Sequence, residues 1–188
     1  MAKDSHPDFT EKQLTAKLVY DGRLLKVRED TVLLPDGKTA RREYVQHPGA
    51  VIMIPLLDDQ TVLLERQYRY ALGRHFYELP AGKIDPGEEP LTTAQRELIE
   101  ECGYQAKSWR HLATLHPCIG YSDERLELYL ARGLSHVGHA RDEGEFLEVV
   151  PLALTEALDW IKTGRITDIK TVAGLAWLKW LANLESPD

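Results

Sequence analysis

Three glutamates in one short segment have a spacing that suits metal chemistry. Glu97, Glu100 and Glu101 follow directly after Arg96, at relative positions i, i+3 and i+4. On an α-helix these positions share one face, with Cβ atoms about 5–6 Å apart, and such like charges cost stability unless cations offset them. The spacing leaves two interpretations open. One is a site for Mg²⁺ or Mn²⁺, which prefer carboxylate oxygens and water, and the other is a solvated acidic stripe.

The residues before this segment favour the metal interpretation. Gly82 and Gly87 flank Lys83–Pro86, which predicts a tight loop, and Glu88 follows immediately. Glycine allows the backbone to approach a neighbouring helix closely and to turn a carbonyl toward the same cluster. We therefore expect the loop and a helix over residues 90–102 to form one site.

The spacing of this whole stretch resembles the Nudix box, the signature of a hydrolase family. Gly82 is separated by five residues from Glu88 and Glu88 by seven residues from Arg96. Tyr104, where an aliphatic residue is usual, is a mild departure from the pattern. The residues that fill the defined positions are Gly82, Glu88, Arg96, Glu97, Leu98, Glu100, Glu101 and Gly103.

The resemblance implies a role for each motif residue. The metal ligands would be Glu97, Glu100, Glu101 and the carbonyl of Ala81, with Glu101 also essential for catalysis. Arg96 would hold a helix carboxylate in place, and Glu88 would brace the loop or reach a metal through water. The implied cofactor is Mg²⁺, or alternatively Mn²⁺, with about two or three ions bound. These ions would neutralise a diphosphate, activate a water molecule and stabilise charge as the phosphorus–oxygen bond breaks.

Two further stretches resemble the ADP-ribose pyrophosphatase branch of this family. The first is Phe76–Glu88, and the second is Pro117–Glu124, in which Ile119 stands where many relatives have proline. The branch implies hydrolysis of ADP-ribose to AMP and ribose 5-phosphate. The candidate substrate-binding residues are Arg42, Arg69, Glu78, Gly120, Ser122 and Glu124.

Arginines and a second acidic segment complete the implied site. By resemblance, Arg69 contacts the phosphates or the terminal ribose, and Arg42 reaches the active site of a partner subunit. The planar guanidinium suits both tasks, although a surface ion pair is the alternative for either residue. The general base would be Glu143, or secondly Glu145, and a solvated acidic loop is the alternative there.

The surrounding elements predict an α/β fold. Residues 1–14 look polar and poorly ordered, and residues 15–46 predict an antiparallel β extension that cannot bury two faces and is expected to form a homodimer. Residues 47–188 would be the hydrolase domain. Its strands at 51–57 and 61–67 are almost continuously apolar, which indicates a sheet covered by helices on both faces. The expected fold is a Nudix-type α/β/α sandwich with a mixed central sheet.

Composition excludes several other classes of protein. The net charge of −7 does not indicate the excess of positive charge that binding of nucleic acid requires. No apolar run approaches the roughly 20 residues of a membrane span, and the first residues contain no apolar signal segment, so we expect a cytoplasmic protein. Cys102 and Cys118 match no disulfide or zinc pattern and are expected to be buried, and His136 and His139 are expected to lie at the surface.

Four functions therefore remain open. The first is ADP-ribose hydrolysis, and the second is hydrolysis of another nucleoside diphosphate sugar or a dinucleotide. The third is a sensor that binds ADP-ribose without cutting it. The fourth is a mainly structural interaction module, which only the N-terminal hairpin favours. The intact glutamate cluster argues against a sensor, because such a domain has little reason to keep a costly group of like charges.

Overall fold

The N-terminal residues form a three-stranded antiparallel sheet. The computed structural model describes residues 6–138, 144 and 146–185. The strands, in spatial order, are β1 (Lys12–Asp21), β2 (Lys26–Leu33) and β3 (Thr39–Gln46). The predicted turn joins β2 to β3, and Gly37 has a φ of +84° there. Cys118–Glu124 belongs to the same compact unit as the described residues up to His47.

The assignment of residues 1–14 to a poorly ordered segment was wrong for its last three positions. β1 starts at Lys12, which is paired with Leu33 of β2. Every residue of β1 is exposed. The apolar alternation of the strand begins only at Leu14, so its first two residues, Lys12 and Gln13, read as a polar segment.

A second compact unit contains Pro48–Pro117 and the residues from Arg125 onward. Among its described residues, seven strands form two sheets. These strands are β4 (Ala50–Pro55), β5 (Thr61–Arg69), β6 (Arg74–Glu78), β7 (Ala81–Lys83), β8 (Tyr104–Leu115), β9 (Leu126–His136) and β10 (Leu147–Ala153). One sheet has the order β10-β5-β6, and the other has the order β7-β4-β9-β8 with β4 and β9 parallel. This mixture of sheet and helix confirms the predicted α/β fold class.

Strand β4 lies at the centre of the core and is buried at all six positions. Its alternate side chains enter two different apolar clusters, as the continuous apolar sequence predicts. Ile52 and Ile54 join the cluster that contains residues of α2 (Leu154–Lys162) and α3 (Ile169–Glu185). Val51 and Met53, facing the other way, pack with residues of the helix that carries the glutamates.

That helix differs from the predicted regular α-helix in its last turn. Helix α1 spans Pro90–Glu97 and continues as a π-helical turn over Leu98–Cys102. It ends at Gly103, which has a φ of +78°, as the sequence predicts. Because a π-turn holds more residues than an α-turn, the spacing argument for one shared glutamate face does not apply unchanged.

Strand β9 ends at His136, whose ring lies 5.0 Å from that of Tyr104. One other expectation from the sequence changes in detail. Cys118 is half-buried rather than buried. None of the helices in the described part of the chain has the length and apolar character needed to cross a membrane.

Candidate active site

The loop before α1 approaches the helix at Gly82. Strand β7 is held against β4, where Gly82 is opposite Val51 and the amide of Met53 donates to the carbonyl of Pro80 at 2.9 Å. A Cβ atom on Gly82 would lie 1.9 Å from Cδ of Glu97. Only glycine therefore allows this close approach of loop and helix without displacing Glu97.

Arg96 is the centre of the acidic cluster. Its Nη1 donates to Glu97 at 2.9 Å and to Glu100 at 2.7 Å. Its Nε and Nη2 donate to the two carboxylate oxygens of Glu88 at 3.2 and 3.0 Å. Hydrogen bonds from Arg96 and then from Thr93 lower the pKa of Glu88 to about 2. The same carboxylates raise the pKa of Arg96, so the guanidinium is charged at any physiological pH.

Glu101 lies on the inner side of this cluster. Its side chain is buried, and its Oε2 accepts a hydrogen bond from the amide of Ala81 at 3.2 Å. This contact joins the π-turn directly to β7. The sequence predicts a role for the carbonyl of Ala81, whereas the contact in the structure is made by its amide, which orients Glu101.

The donor set suits a hard divalent cation. Arg96 contacts four carboxylates, those of Asp85, Glu88, Glu97 and Glu100, and Glu101 adds a fifth in the same π-helical turn as Glu100. Carboxylate oxygens with an excess of negative charge are the ligands that Mg²⁺ and Mn²⁺ prefer. Within the described residues, no three His, Cys, Asp or Glu side chains are already arranged around a common cation position. Arg96 bridges Glu97 and Glu100 in this arrangement.

A second charged group includes Arg69 and Glu78. Arg69 donates two hydrogen bonds of 2.7 Å to the buried carboxylate of Glu78, which Lys170 also contacts. Burial alone would raise the pKa of Glu78, but the hydrogen bonds from Arg69 and the charge of Lys170 outweigh it, and the pKa is lowered. The pKa of Arg69 is raised chiefly by its bonds to Glu78, and the charge of Glu101 adds to the effect. Arg69 is thus electrostatically linked to the motif.

An open cavity of about 410 Å³ lies beside this group. Arg69, Glu78, Asp168 and Lys170 contribute its charged wall. The apolar wall consists of Leu72, Phe76 and Ile169. A cavity of this size and mixed character suits part of a small polar molecule.

Sequence analysis missed the contributions of Lys170, Asp168 and Glu65. Lys170 and Asp168 lie about 90 residues beyond Glu78 in the sequence. Near them, the sequence indicates only that an aspartate before α3 can cap this helix. Glu65 is buried in β5 and accepts a hydrogen bond from the thiol of Cys102 at 3.3 Å. A glutamate within an apolar strand was the available signal for Glu65.

Comparison with known families identifies the chain. Residues 46–173 match the family model of the NUDIX domain. The chain belongs to the Nudix hydrolase family. Residues 11–45 of this Nudix hydrolase match a second model, the nucleoside diphosphate sugar hydrolase N-terminal domain. The family suggested by the glutamate spacing is therefore confirmed.

Two curated relatives resemble this Nudix hydrolase over most of their length. The methanol dehydrogenase activator of Bacillus methanolicus is 41% identical over 173 residues, which cover 91% of this chain and 94% of that protein. The ADP-ribose pyrophosphatase of Bacillus subtilis (strain 168) is 36% identical over 171 residues, covering 90% and 92% respectively. The crystal structure of an ADP compounds hydrolase has the same fold, with a TM-score of 0.85, 24% identity, and coverage of 96% of this chain and 99% of that one.

The other predicted site residues of the Nudix hydrolase lie in the N-terminal unit or outside the described residues. Ser122 donates to the carbonyl of Val45 at 3.3 Å and accepts from the amide of Glu124 at 3.1 Å. Arg42 donates to the carboxylate of Glu11, at 2.9 Å from its Nε. The remaining predicted residues are Gly120, which is exposed, and Glu143 and Glu145, which lie outside the described residues.

Proposed function

We propose that the protein hydrolyses the diphosphate bond of ADP-ribose in the presence of Mg²⁺, releasing AMP and ribose 5-phosphate. The observation that carries this proposal is the contact of Ala81 with Glu101 beside the Arg96 cluster. It joins the glycine loop to an acidic helix whose charge also reaches Arg69. The likeness to the ADP-ribose pyrophosphatase of Bacillus subtilis supports the choice of substrate.

Each motif residue has a proposed role. Glu97, Glu100 and Glu101, with the carbonyl of Ala81, would hold the metal ions. When bound, divalent ions of this kind offset the charge of a diphosphate and lower the pKa of a coordinated water. Arg96 fixes the directions of the Glu97 and Glu100 carboxylates through its Nη1. Glu88 anchors the opposite edge of Arg96, so the guanidinium cannot rotate away from the cluster.

Arg69 is our candidate for binding the substrate phosphates. Its Nε and Nη2 are engaged by Glu78, which fixes the plane of the guanidinium. We assign Nη1 to a phosphate oxygen or to the terminal ribose. A guanidinium held in advance loses little side-chain entropy when an anion binds, which improves affinity.

The remaining assignments follow the family resemblance. Gly120, Ser122 and Glu124 would contact the substrate, and Arg42 would reach the active site of the second subunit of a homodimer. Glu143, or secondly Glu145, would accept the proton of the attacking water. Light scattering tests the dimer, and a monomer would remove Arg42 from the site.

A second candidate function is hydrolysis of another nucleoside diphosphate sugar. The specific observation in its favour is the match of residues 11–45 to a domain described for nucleoside diphosphate sugar hydrolases. Because both candidates use the same phosphate chemistry, they differ only in the groups at the two ends of the diphosphate.

A substrate panel separates these possibilities. We would measure turnover of ADP-ribose, other nucleoside diphosphate sugars and a dinucleotide, each with and without Mg²⁺, and separate the products by chromatography. The proposal expects Mg²⁺-dependent release of AMP and ribose 5-phosphate, with the highest kcat/KM for ADP-ribose. A higher kcat/KM for another sugar would favour the second candidate, and tight binding of ADP-ribose without turnover would indicate a sensor. The Glu101→Gln variant should retain the fold and lose turnover by orders of magnitude.

A further inference from the structure

The backbone that orients Glu101 has few hydrogen-bond donors of its own. Leu79 and Pro80 connect β6 to Ala81, the first residue of β7, and proline has no amide hydrogen. The two amides in this segment are therefore those of Leu79 and Ala81. The amide of Ala81 donates to Glu101. The Pro80 carbonyl is held by the amide of Met53, so the Leu79 amide is a second anchor of the backbone that presents the Ala81 amide to Glu101.

Helix α3 holds the Leu79 amide through Thr171. Its hydroxyl accepts a hydrogen bond from the amide of Leu79 at 2.7 Å, across 92 residues of sequence. The same hydroxyl donates to Oδ2 of Asp168 at 2.6 Å, and this oxygen also accepts from the amide of Thr171 at 3.0 Å. Asp168 therefore directs the hydroxyl hydrogen away from Leu79, and a lone pair of the oxygen remains for the Leu79 amide.

Two other contacts join α3 to the same segment. A Cβ atom on Gly174 would lie 2.5 Å from Cδ1 of Leu79, so the helix packs directly on this leucine. Lys170 contacts the carboxylate of Glu78, the residue before Leu79, and also that of Asp168 at 3.0 Å. Thr171 itself is fully buried and has no access to substrate.

We propose that Thr171 is a positioning residue for the metal-binding glutamate Glu101. It fixes the backbone at Leu79, and the Ala81 amide transmits this position to the Glu101 carboxylate. The inference rests on the proposed role of Glu101 as a metal ligand, but it does not depend on which diphosphate is the substrate. Residues that hold a metal ligand from behind typically change metal affinity or activity by about 10- to 100-fold when they are replaced.

The test compares two replacements of Thr171 that differ in hydroxyl content. Thr171→Val keeps the shape and removes the acceptor, whereas Thr171→Ser keeps the acceptor. The matched control is Thr163→Val, because the Thr163 hydroxyl bonds only to carbonyls of its own helix. Mn²⁺ binding, measured by electron paramagnetic resonance on the full chain without substrate, is the first readout. Hydrogen exchange of the Leu79 and Ala81 amides is the second, and the Mg²⁺ concentration for half-maximal activity is the third.

We expect Thr171→Val to bind Mn²⁺ about 10- to 100-fold more weakly than the wild type. It should also exchange the two amides faster and require more Mg²⁺. Thr171→Ser and Thr163→Val should match the wild type in all three measurements. If Thr171→Val does not fold, Thr171→Cys replaces it, because a thiol is a weak acceptor of similar size.

Either of two results would overturn the proposal. Thr171→Val that loses thermal stability but binds Mn²⁺ as tightly as the wild type would show that Thr171 only stabilises α3. A Thr171→Ser variant as weak in Mn²⁺ binding as Thr171→Val would also contradict the hydrogen-bond argument. Failure of the wild type to cut ADP-ribose, with Mn²⁺ binding still sensitive to Thr171, would reject the proposed substrate and leave this inference in force.

Discussion

Replacing Gly82 with alanine would put a methyl group where the Glu97 side chain now lies. The added Cβ would be 1.9 Å from Cδ, 2.1 Å from Oε1 and 2.2 Å from Cγ of Glu97. Gly82 does not have a positive φ, so the backbone itself tolerates alanine. The perturbation therefore acts on one carboxylate, which Arg96 holds at 2.9 Å.

The size of the effect follows from this overlap. Ordinary van der Waals contact begins at 3.4 Å, so the Glu97 carboxyl group must move by about 1.5 Å. A misplacement of about 1 Å in a catalytic group costs about 100-fold in rate. Overpacking typically lowers the free energy of unfolding by about 1–3 kcal/mol. Here the loss should be near the lower end of that range, because the glutamate side chain can rotate away. Activity should thus fall much more than stability.

Gly164→Ala provides the matched control. Gly164 has a φ of +74° and would meet no atom within 4 Å, so alanine strains the backbone without a clash. We expect it to lose about 1 kcal/mol of stability and to keep full kcat, because it lies at the end of α2. Urea unfolding and initial rates at saturating Mg²⁺ measure both quantities for both variants. A Gly82→Ala enzyme with wild-type kcat would refute the argument that Glu97 needs this glycine.

Three further predictions concern the charged groups. The pKa of Glu88 is about 2 in the folded protein, against an ordinary value of 4.5. The ionised carboxylate therefore contributes fully to the free energy of unfolding above pH 4.5, and this contribution is lost as the pH falls from about 4.5 through about 2. Urea titrations between pH 5 and pH 3 measure this loss. As the pH falls, the free energy of unfolding should decrease less steeply for Glu88→Gln than for the wild type, and equal slopes would contradict the prediction. Arg69→Lys removes one of the two parallel hydrogen bonds to Glu78. In steady-state assays it should raise KM about tenfold with little change in kcat. An unchanged KM would show that Arg69 does not bind the substrate. Lys170→Met leaves the buried Glu78 with Arg69 alone and should cost about 1 kcal/mol in urea unfolding, and a more stable variant would show that the buried charges are unfavourable.

Local spacing was sufficient to predict the helix and its acidic residues. The intervals from Gly82 to Gly103 lie within one loop and one helix, where sequence separation determines proximity. The helix ends at Gly103 with positive φ, as expected for a glycine C-cap. The π-turn was not predictable, because no residue type in Leu98–Cys102 distinguishes a π-turn from an α-turn. In the structure, Leu98 and Cys102 of this turn pack in one apolar cluster with Val51 and Met53 of β4.

Contacts between segments that are distant along the chain could not be predicted from the sequence. Thr171 and Leu79 are joined by a hydrogen bond across 92 residues, and nothing near either residue indicates the other. The β extension starts at Lys12, before the expected residue 15, because the polar residues Lys12 and Gln13 belong to it only through their pairing with β2. The burial of β4 on both faces was predictable, because a strand whose alternate side chains enter two apolar clusters requires a continuous apolar sequence.

The most direct test of the whole account follows ADP-ribose hydrolysis by ³¹P nuclear magnetic resonance in wild type and Glu101→Gln. With Mg²⁺, the wild type should convert the diphosphate signals into equal signals of AMP and ribose 5-phosphate, and chelation should stop the reaction. The folded Glu101→Gln variant should leave the diphosphate intact over the same period. Wild-type turnover in Glu101→Gln, or turnover that persists after chelation, would contradict a reaction that depends on metal held by this glutamate cluster.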